Sequence, residues 1–237
     1  MNKVVQSLWV GSRLSAMERL CIASFLCHGH EFHLYTYEDV QDVPKSVVIE
    51  DANSILPQSM IFMYKDYASY AGFADFFRHK LMLDKGGWWV DMDLVCLRPF
   101  NFETEYVFSS ETKWPGGDYR PNAGAVKVPP SSPAFAFIWE QCQRVNPKTM
   151  DWGQAGPYLI AWAVEHFALQ QYVQAPDVFC PVRGEDWKQM LDPKKTWDFS
   201  NAHAVHLWNE LWRREGLDKD AVYLPDCLYE RLKRKHL

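Results

Sequence analysis

Asp91 and Asp93 stand one residue apart at the end of a short apolar run, residues 88–90 (Trp-Trp-Val). Because side chains alternate along a strand, two aspartates with this spacing can direct both carboxylates to the same side. Two hard oxygen ligands held this close suit a divalent cation that keeps water or phosphate ligands of its own. They do not suit hydrolysis by paired carboxylates, which flank a glycosidic bond about 5 to 9.5 Å apart. The pair therefore predicts metal-assisted handling of a phosphate-bearing substrate.

The elements around these aspartates must position them, and the chain shows an alternating pattern of strands and helices. Apolar alternation predicts strands at residues 4–10, 30–37, 47–49, 88–97, 106–109 and 126–128. Apolar residues at helical spacing predict helices at residues 12–26, 64–85 and 133–144. A polar loop is expected through Pro121, before the last of these strands. This rhythm predicts an α/β fold in which helices flank a mainly parallel sheet.

No linker, repeat or low-complexity segment divides the 237 residues, and a chain of this length buries a substantial core. We therefore expect a single domain over residues 1–237, with a C-terminal helical segment from about residue 210 to 237. The first strand is not followed by a Gly-x-Gly-x-x-Gly pattern, which argues against a dinucleotide-binding site.

Composition narrows the function class and the compartment. A net charge of −5 does not favour binding to nucleic acid. No apolar run approaches the roughly 20 residues that span a bilayer, and residues 1–7 lack the apolar region of a signal peptide. The six scattered cysteines are expected to be reduced thiols, which together with the missing signal predicts a cytoplasmic protein. The basic tail, residues 231–236, is either a solvated helix end or a peripheral contact with the inner face of an anionic membrane.

Two segments carry a specific resemblance. Residues 74–78 (Ala-Asp-Phe-Phe-Arg), followed by residues 86–93 (Gly-Gly-Trp-Trp-Val-Asp-Met-Asp), resemble the Asp-x-Asp region of sugar-nucleotide transferases. The closest similarity is to glycosyltransferase family 32 and its relatives, the α1,4-glycosyltransferases and the clostridial glucosylating toxins. Residues 203–209 (His-Ala-Val-His-Leu-Trp-Asn) resemble a late motif of the same α1,4-glycosyltransferases. The resemblance implies a GT-A-like fold.

The resemblance also implies roles for the first segment. Asp75 would accept hydrogen bonds from the hydroxyls of the donor sugar, and Arg78 would orient the sugar and its phosphate. Asp91 would contact the sugar or the ribose beside the metal, and Asp93 would bind the metal. The spacing of Asp75 and Arg78 on one helical face also allows a simple surface ion pair, worth under about 1 kcal/mol.

In the late motif, the same correspondence makes His206 a metal ligand together with Asp93, and imidazole is acceptable to Mn²⁺ beside carboxylates. Trp208 would reach the diphosphate. His203 stands where the toxin pattern has an acidic residue, so a ligand role for it is the weaker expectation. At the end of the first strand, Trp9 would stack on the nucleobase, or else be a core tryptophan.

Further segments resemble parts of the family that line the sugar sites. On this basis Asn122 and Gln154 are predicted to contact the donor, and Asp151 and Asn209 are predicted to lie on the acceptor side. Gly156 and Pro157 are typical of the start of a helix. Glycines in these segments would allow close backbone approach to a ligand, although they equally mark turns.

The combined reading is a metal-dependent, retaining hexosyltransferase that uses Mn²⁺ or Mg²⁺. It would move a sugar from a nucleoside-diphosphate sugar, expected to be a uridine diphosphate sugar, to a glycan, polysaccharide or lipid-linked glycan. Retention rests on the resemblance alone, and no general base is assigned. Two other classes stay open at this point: a sugar-nucleotide hydrolase or diphosphatase, and a non-catalytic carbohydrate-binding protein of the same fold.

Overall fold

The computed structural model describes residues 3–65, 67–113 and 119–237. The strands are β1 (Val4–Trp9), β2 (Glu31–Thr36), β3 (Val48–Asp51), β4 (Gly87–Val90), β5 (Leu94–Cys96), β6 (Val107–Lys113), β7 (Tyr119–Val128) and β8 (Ala204–His206). The helices are α1 (Ala16–Cys27), α2 (Ala71–Asp84), α3 (Pro133–Cys142), α4 (Pro157–His166), α5 (Pro176–Phe179), α6 (Asn209–Arg214) and α7 (Leu228–His236). Short 3₁₀ segments lie at Ala52–Ser54, Gln58–Met60, Gln170–Tyr172 and Gly184–Leu191.

The main sheet has the strand order β3-β2-β1-β4-β7-β6. Strands β3, β2, β1 and β4 run parallel, whereas β7 is antiparallel to both β4 and β6. The predicted α/β fold with a mainly parallel sheet is confirmed. Because β1 and β4 are parallel neighbours, their carboxyl ends open on the same edge, where open α/β sheets usually bind their ligands.

Helices cover both faces of this sheet, and the alternation within β4 shows how. Trp89 packs with Phe73 and Phe77 of α2 on one face. Trp88 packs with Phe25 of α1 on the other face. Helix α7 adds a third apolar cluster against α1, in which Leu228 takes part. None of the helices in the described ranges is long and apolar enough to cross a membrane.

The predicted strand at residues 88–97 is wrong in one respect, because it is two strands. Strand β4 lies in the main sheet, whereas β5 pairs with β8 in a separate two-stranded sheet. The chain changes sheets at residues 91–93, which form a turn: Asp91 N donates to Gly124 O at 2.8 Å and Leu94 N donates to Asp91 O at 3.1 Å. The turn, and not strand alternation, therefore sets the directions of the two carboxylates.

Two predicted helices begin later than expected. Helix α1 begins at Ala16 because Ser15 and Glu18 form a capping box that satisfies free backbone groups at its start. Helix α2 begins at Ala71, not at residue 64. Before this start, Tyr64 N donates to Ser69 O at 2.9 Å, a contact that does not belong to a helix.

The polar loop expected through Pro121 is wrong where the structure describes it, because β6 continues to Lys113 and β7 begins at Tyr119 and pairs with it. The middle of the expected loop, residues 114–118, lies outside the described residues. Pro121 lies opposite Ser110, and the pairing register shifts on both sides of Ser110. A strand tolerates proline at such an irregularity, because the regular ladder of hydrogen bonds is interrupted there and does not need the N–H that proline lacks. The first residues of this strand mix polar and apolar types without alternation, so apolar periodicity did not predict a strand there.

Candidate active site

A cleft of about 730 Å³ opens at the carboxyl ends of β1 and β4. Most of the side chains selected from the sequence line it. They are Trp9, Asp75, Arg78, Asp91, Asp93, Asn122, His206, Trp208 and Asn209. Residues between positions 9 and 209 of the chain thus converge at the carboxyl-end edge of the parallel strands.

The metal-ligating candidates meet at the floor of this cleft. One ligand atom from each of Asp91, Asp93 and His206 lies within 4.8 Å of the other two. Two carboxylates and one imidazole form a donor set that suits Mn²⁺, and carboxylates also suit Mg²⁺. The residues present therefore fit the divalent cation that the sequence predicted.

The pairing of β5 with β8 brings these groups together. Leu94 and His206 lie opposite each other in this pairing. Because Asp93 directly precedes Leu94 in the chain, His206 comes close to Asp93. Trp208 then adopts a left-handed backbone conformation with a φ of 60°, which is uncommon for a bulky residue. This turn directs the backbone N–H of Asn209 at Asp93 Oδ2, at a distance of 2.7 Å.

Asp93 and His206 also modify each other's acidity. The Asp93 Oδ1 and His206 Nε2 atoms are 3.1 Å apart. Burial by itself would raise the pKa of Asp93, but His206 and the Asn209 N–H outweigh it and lower that pKa. Burial would likewise lower the pKa of His206, and the nearby Asp93 carboxylate raises it well above its usual value. Without a metal, the two groups therefore favour an ion pair.

A second charged group joins the first through Arg78. Its guanidinium donates to the Asp75 carboxylate and, at 2.7 Å, to Asp91 Oδ1. Asp91 Oδ1 also accepts from Trp89 Nε1 at 2.8 Å, and Arg78 Cζ lies 4.9 Å from the centroid of the Trp89 ring. The Arg78 side chain is only 4% exposed. The surface ion pair that the spacing also allowed is thus excluded.

Asp75 is held in an environment that resists ionisation. Burial raises its pKa to about 6, with Arg78 opposing and Asp91 supporting the shift. The start of α4 approaches closely, because a β-carbon at Gly156 would collide with the Asp75 carboxyl group. Only glycine therefore permits this packing at position 156.

The two tryptophans predicted to contact the donor differ in their polar contacts. Trp9 is half-buried, and its indole N–H has no hydrogen-bond partner within the described part of the chain. The Lys219 ammonium lies 5.8 Å from the Trp9 ring centroid. Trp208 instead donates through Nε1 to Val182 O at 2.9 Å, and its ring centroid lies 4.1 Å from that of His206.

Asn122 is buried at the cleft wall. Its side-chain oxygen accepts from Ser109 Oγ and from Gly124 N, the latter at 3.2 Å. Its amide nitrogen donates to Cys180 Sγ at 3.3 Å. These contacts tie β7 to Ser109 of β6 and to Cys180, beside the aspartate turn.

Three predicted residues lie outside the cleft. Asp151 and Gln154 line a separate groove, with Asp151 N donating to Gln154 Oε1 at 3.0 Å. His203 is turned away from the acidic cluster: its Nδ1 lies 3.0 Å from Pro99 O, and its ring packs against Phe102 at a centroid distance of 4.8 Å. Of the two histidines, only His206 reaches the aspartates.

Sequence reasoning missed the loop at residues 217–220, which forms one wall of the cleft. Lys219 Nζ donates to the buried Glu18 carboxylate, and Asp220 Oδ1 accepts from Ala16 N at 2.7 Å at the start of α1. These partners are about 200 positions apart in the chain, so no local pattern marks them. The capping box of α1 was the one available signal, since Glu18 belongs to it.

Comparison with known proteins agrees with this geometry. Residues 16–112 match the family described as a glycosyltransferase sugar-binding region containing a DXD motif. Residues 144–236 match the family described as an α1,4-glycosyltransferase conserved region. By sequence alone, no curated protein matches the chain.

Solved structures share the fold at low sequence identity. A galactosyltransferase, LgtC, solved with donor and acceptor sugar analogues, is similar with a TM-score of 0.52 and 10% identity over 98% of this chain and 96% of that one. The PaToxG glycosyltransferase is similar with a TM-score of 0.50 and 13% identity over 100% of this chain and 85% of that one. These likenesses establish a GT-A-like fold. The two family matches together span most of the chain and include the aspartate turn and the His206 strand, and they identify the chain as a glycosyltransferase of the DXD-containing, α1,4-glycosyltransferase type.

Proposed function

We propose that this glycosyltransferase is metal-dependent and retaining, and that it moves a sugar from a uridine diphosphate sugar to a glycan acceptor. One observation carries the proposal. The ligand atoms of Asp91, Asp93 and His206 lie within 4.8 Å of one another in the cleft that also holds Asp75 and Arg78. A metal site and a sugar-orienting pair in one cleft are what transfer from a nucleotide sugar requires.

In this proposal, Asp93 and His206 hold Mn²⁺ or Mg²⁺ with the help of Asp91. The bound ion would supply Lewis-acid stabilisation of the departing diphosphate. The Asn209 N–H keeps the Asp93 carboxylate oriented and lowers its pKa, which favours the ionised form that binds a cation. His206 must lose its proton before it can bind a metal, so metal affinity should rise with pH.

Arg78 connects the metal ligands to the sugar-binding group. Because it donates to both Asp75 and Asp91, it fixes the separation of the two carboxylates before any substrate arrives. Such preorganisation is where most electrostatic catalysis originates. In the proposed complex, Asp75 accepts from sugar hydroxyls, Arg78 orients the sugar and its phosphate, and Trp9 packs on the base.

The central test is Asp93→Asn combined with removal of metal. Donor turnover should disappear with a chelator, return with Mn²⁺ or Mg²⁺, and stay absent in a folded Asp93→Asn variant. Asp84→Asn is a matched control, because Asp84 pairs with Lys80 near the end of α2 and is not among the described residues that line the cleft. A panel of nucleotide sugars with an added glycan separates transfer from hydrolysis. Undiminished activity in chelator would contradict metal dependence.

Retention is tested on the first-formed product. An α-linked donor should yield an α-glycoside, read from the anomeric proton coupling by nuclear magnetic resonance for gluco- or galacto-configured sugars. A β-glycoside would contradict retention and would demand a general base. Asp151 is the first acidic residue to mutate in that case, although it lines the neighbouring groove and not the cleft.

A finer element of the proposal is contact with an anionic membrane that carries a lipid-linked acceptor. Helix α7 presents basic side chains, of which Lys233 donates to Ala221 O at 2.9 Å. The adjoining Val222 and Leu224 are 86% and 58% exposed, so an aliphatic pair stands beside the basic helix. Vesicles with and without anionic lipid should separate wild type from a Val222→Ser, Leu224→Ser variant in a sedimentation assay. Equal sedimentation of both proteins would remove this element and place the protein away from the inner face of the membrane.

A further inference from the structure

Helix α4 carries two large aromatic side chains on its outer face. Tyr158 and Trp162 are each 49% exposed. They are four positions apart on a helix, so they lie on the same face about one turn apart. Large half-exposed aromatic side chains that lie together mark a binding surface more often than isolated ones do.

The groove that Trp162 lines adjoins the cleft. In the turn at residues 151–154, Trp152 and Gly153 line the cleft, whereas Asp151 and Gln154 line a second groove of about 460 Å³ that also includes Trp162. The turn is therefore a ridge between the two cavities. The Tyr158 ring lies against this ridge, since a β-carbon at Gly153 would stand 3.5 Å from it.

The groove has the composition of a site for uncharged sugars. Its rim carries amide and hydroxyl groups from Gln141, Asn146, Thr149 and Gln154, which can exchange hydrogen bonds with hydroxyl groups. Met150 and Leu159 contribute apolar surface below them. One acidic and one basic side chain line the groove, Asp151 and Arg144, and their charges offset each other. A polyanion would find no net attraction there.

The Trp162 ring supplies an apolar flat surface, which the hydrogen-bonding groups of the rim do not provide. It packs against Phe137 edge-to-face, with centroids 4.8 Å apart, which fixes its orientation. A rigid aromatic face can pack on the C–H face of a sugar ring while the rim groups bind its hydroxyls. Tyr158 differs in that Arg120 Cζ lies over its ring, 5.3 Å from the centroid.

We propose that this groove is a distal acceptor subsite, in which sugars away from the reacting end of a neutral oligosaccharide cross the ridge at Tyr158 and pack on Trp162. The inference rests on the proposed function and adds to it the size and charge class of the acceptor. It also gives Asp151 and Gln154 a place on the acceptor path outside the cleft.

The test uses two ladders of neutral oligosaccharides, from one to six sugars, of the malto and N-acetyllactosamine types. Ligand-observed nuclear magnetic resonance measures affinity without turnover, and acceptor KM is measured where transfer occurs. For the wild type, affinity should rise roughly fivefold to tenfold between short and long members of one ladder. Trp162→Ala should abolish that rise and leave the affinity for the shortest members unchanged. Trp162→Phe should restore most of it.

Ile49→Ala is the matched control, because Ile49 is similarly exposed, at 52%, on the β3 edge strand away from α4. It should leave the length dependence intact. The subsite is contradicted if neither ladder binds, if affinity is independent of length, or if Trp162→Ala weakens all members equally. Donor hydrolysis in the absence of acceptor reports separately on the proposed function. Its loss in chelator, with the length dependence of binding retained, distinguishes the two proposals.

Discussion

The cleft and the outer groove beside it, which Asp151, Gln154 and Trp162 line, differ in how their polar groups are held. In the cleft, at α2 and the β4–β5 turn, Asp75, Arg78 and Asp93 are buried and bound to one another or to His206. Beside the outer groove, on α4, Tyr158 and Trp162 are half exposed and the amide groups near them face solvent. Buried charges keep their geometry only as a complete set, whereas exposed aromatic side chains can be changed one at a time. Chemistry is therefore expected to reside in the cleft and acceptor choice in the outer groove.

The largest expected effect is on folding. Arg78→Ala leaves the buried Asp75 carboxylate and the partly buried Asp91 carboxylate without the cation they share, which should lower the free energy of unfolding by about 3 to 5 kcal/mol. Urea denaturation measures this. Arg144→Ala is the control at the outer groove, where the Arg144–Glu140 pair is exposed and should contribute within about 1 kcal/mol. Equal losses in the two variants would contradict the distinction between the cleft and the outer groove.

The next effect concerns activity. Asp91→Asn removes a carboxylate that Arg78 and Trp89 orient, and kcat/KM should fall by about 10² to 10³. Asp151→Asn, in the outer groove, should alter kcat/KM for a monosaccharide acceptor by no more than about twofold. Both are measured by product formation at saturating metal. A large loss in the Asp151 variant would indicate that catalysis takes place in the outer groove and would contradict its assignment to the cleft.

A third effect is a pH dependence of stability. The folded-state pKa of Asp75 is raised to about 6, above its ordinary value of 3.8, so folding favours the protonated carboxyl group. Its contribution to stability is therefore greatest below pH 4 and is lost as the pH rises through about 6. Asp75→Asn cannot ionise. Its stability relative to wild type should rise by about 3 kcal/mol between pH 4 and pH 7, as chemical denaturation at each pH would show. A constant difference would mean that Asp75 ionises freely.

The smallest effect concerns the nucleotide. If Trp9 packs on the base, Trp9→Ala should weaken binding of the free nucleoside diphosphate by about 1 to 3 kcal/mol, on the scale of base stacking. Wild-type fluorescence should change in the same titration. Trp162→Ala should bind the nucleotide normally, because it lies in the outer groove. A Trp9 variant that is destabilised yet binds normally would show that Trp9 only fills the core.

Much of this molecule was predictable from local sequence. The strands at residues 4–10 and 30–37, the helix that follows Pro133 and the helix that opens at Pro157 appear close to the expected positions. The errors share a cause. Tyr64 and Ser69 form a backbone hydrogen bond with each other, and the strand that begins at Tyr119 pairs with β6, so neither conformation follows from apolar spacing. Apolar periodicity indicates which face of a segment is buried. It does not predict where a segment changes sheets or where the chain reverses.

The sequence by itself determined which side chains could do the chemistry: the carboxylates of Asp91 and Asp93, the Asp75–Arg78 pair on one helical face, and the histidine of the late motif. Only the tertiary structure decided which of them meet. The β5–β8 pairing brings His206 to Asp93 and leaves His203 against Phe102, although the two histidines are three residues apart. The ridge at residues 151–154 likewise assigns Trp152 to the cleft and Gln154 to the outer groove. Local spacing fixes neighbours along one element, whereas contacts between elements depend on how their buried faces pack, and that packing is a property of the whole chain.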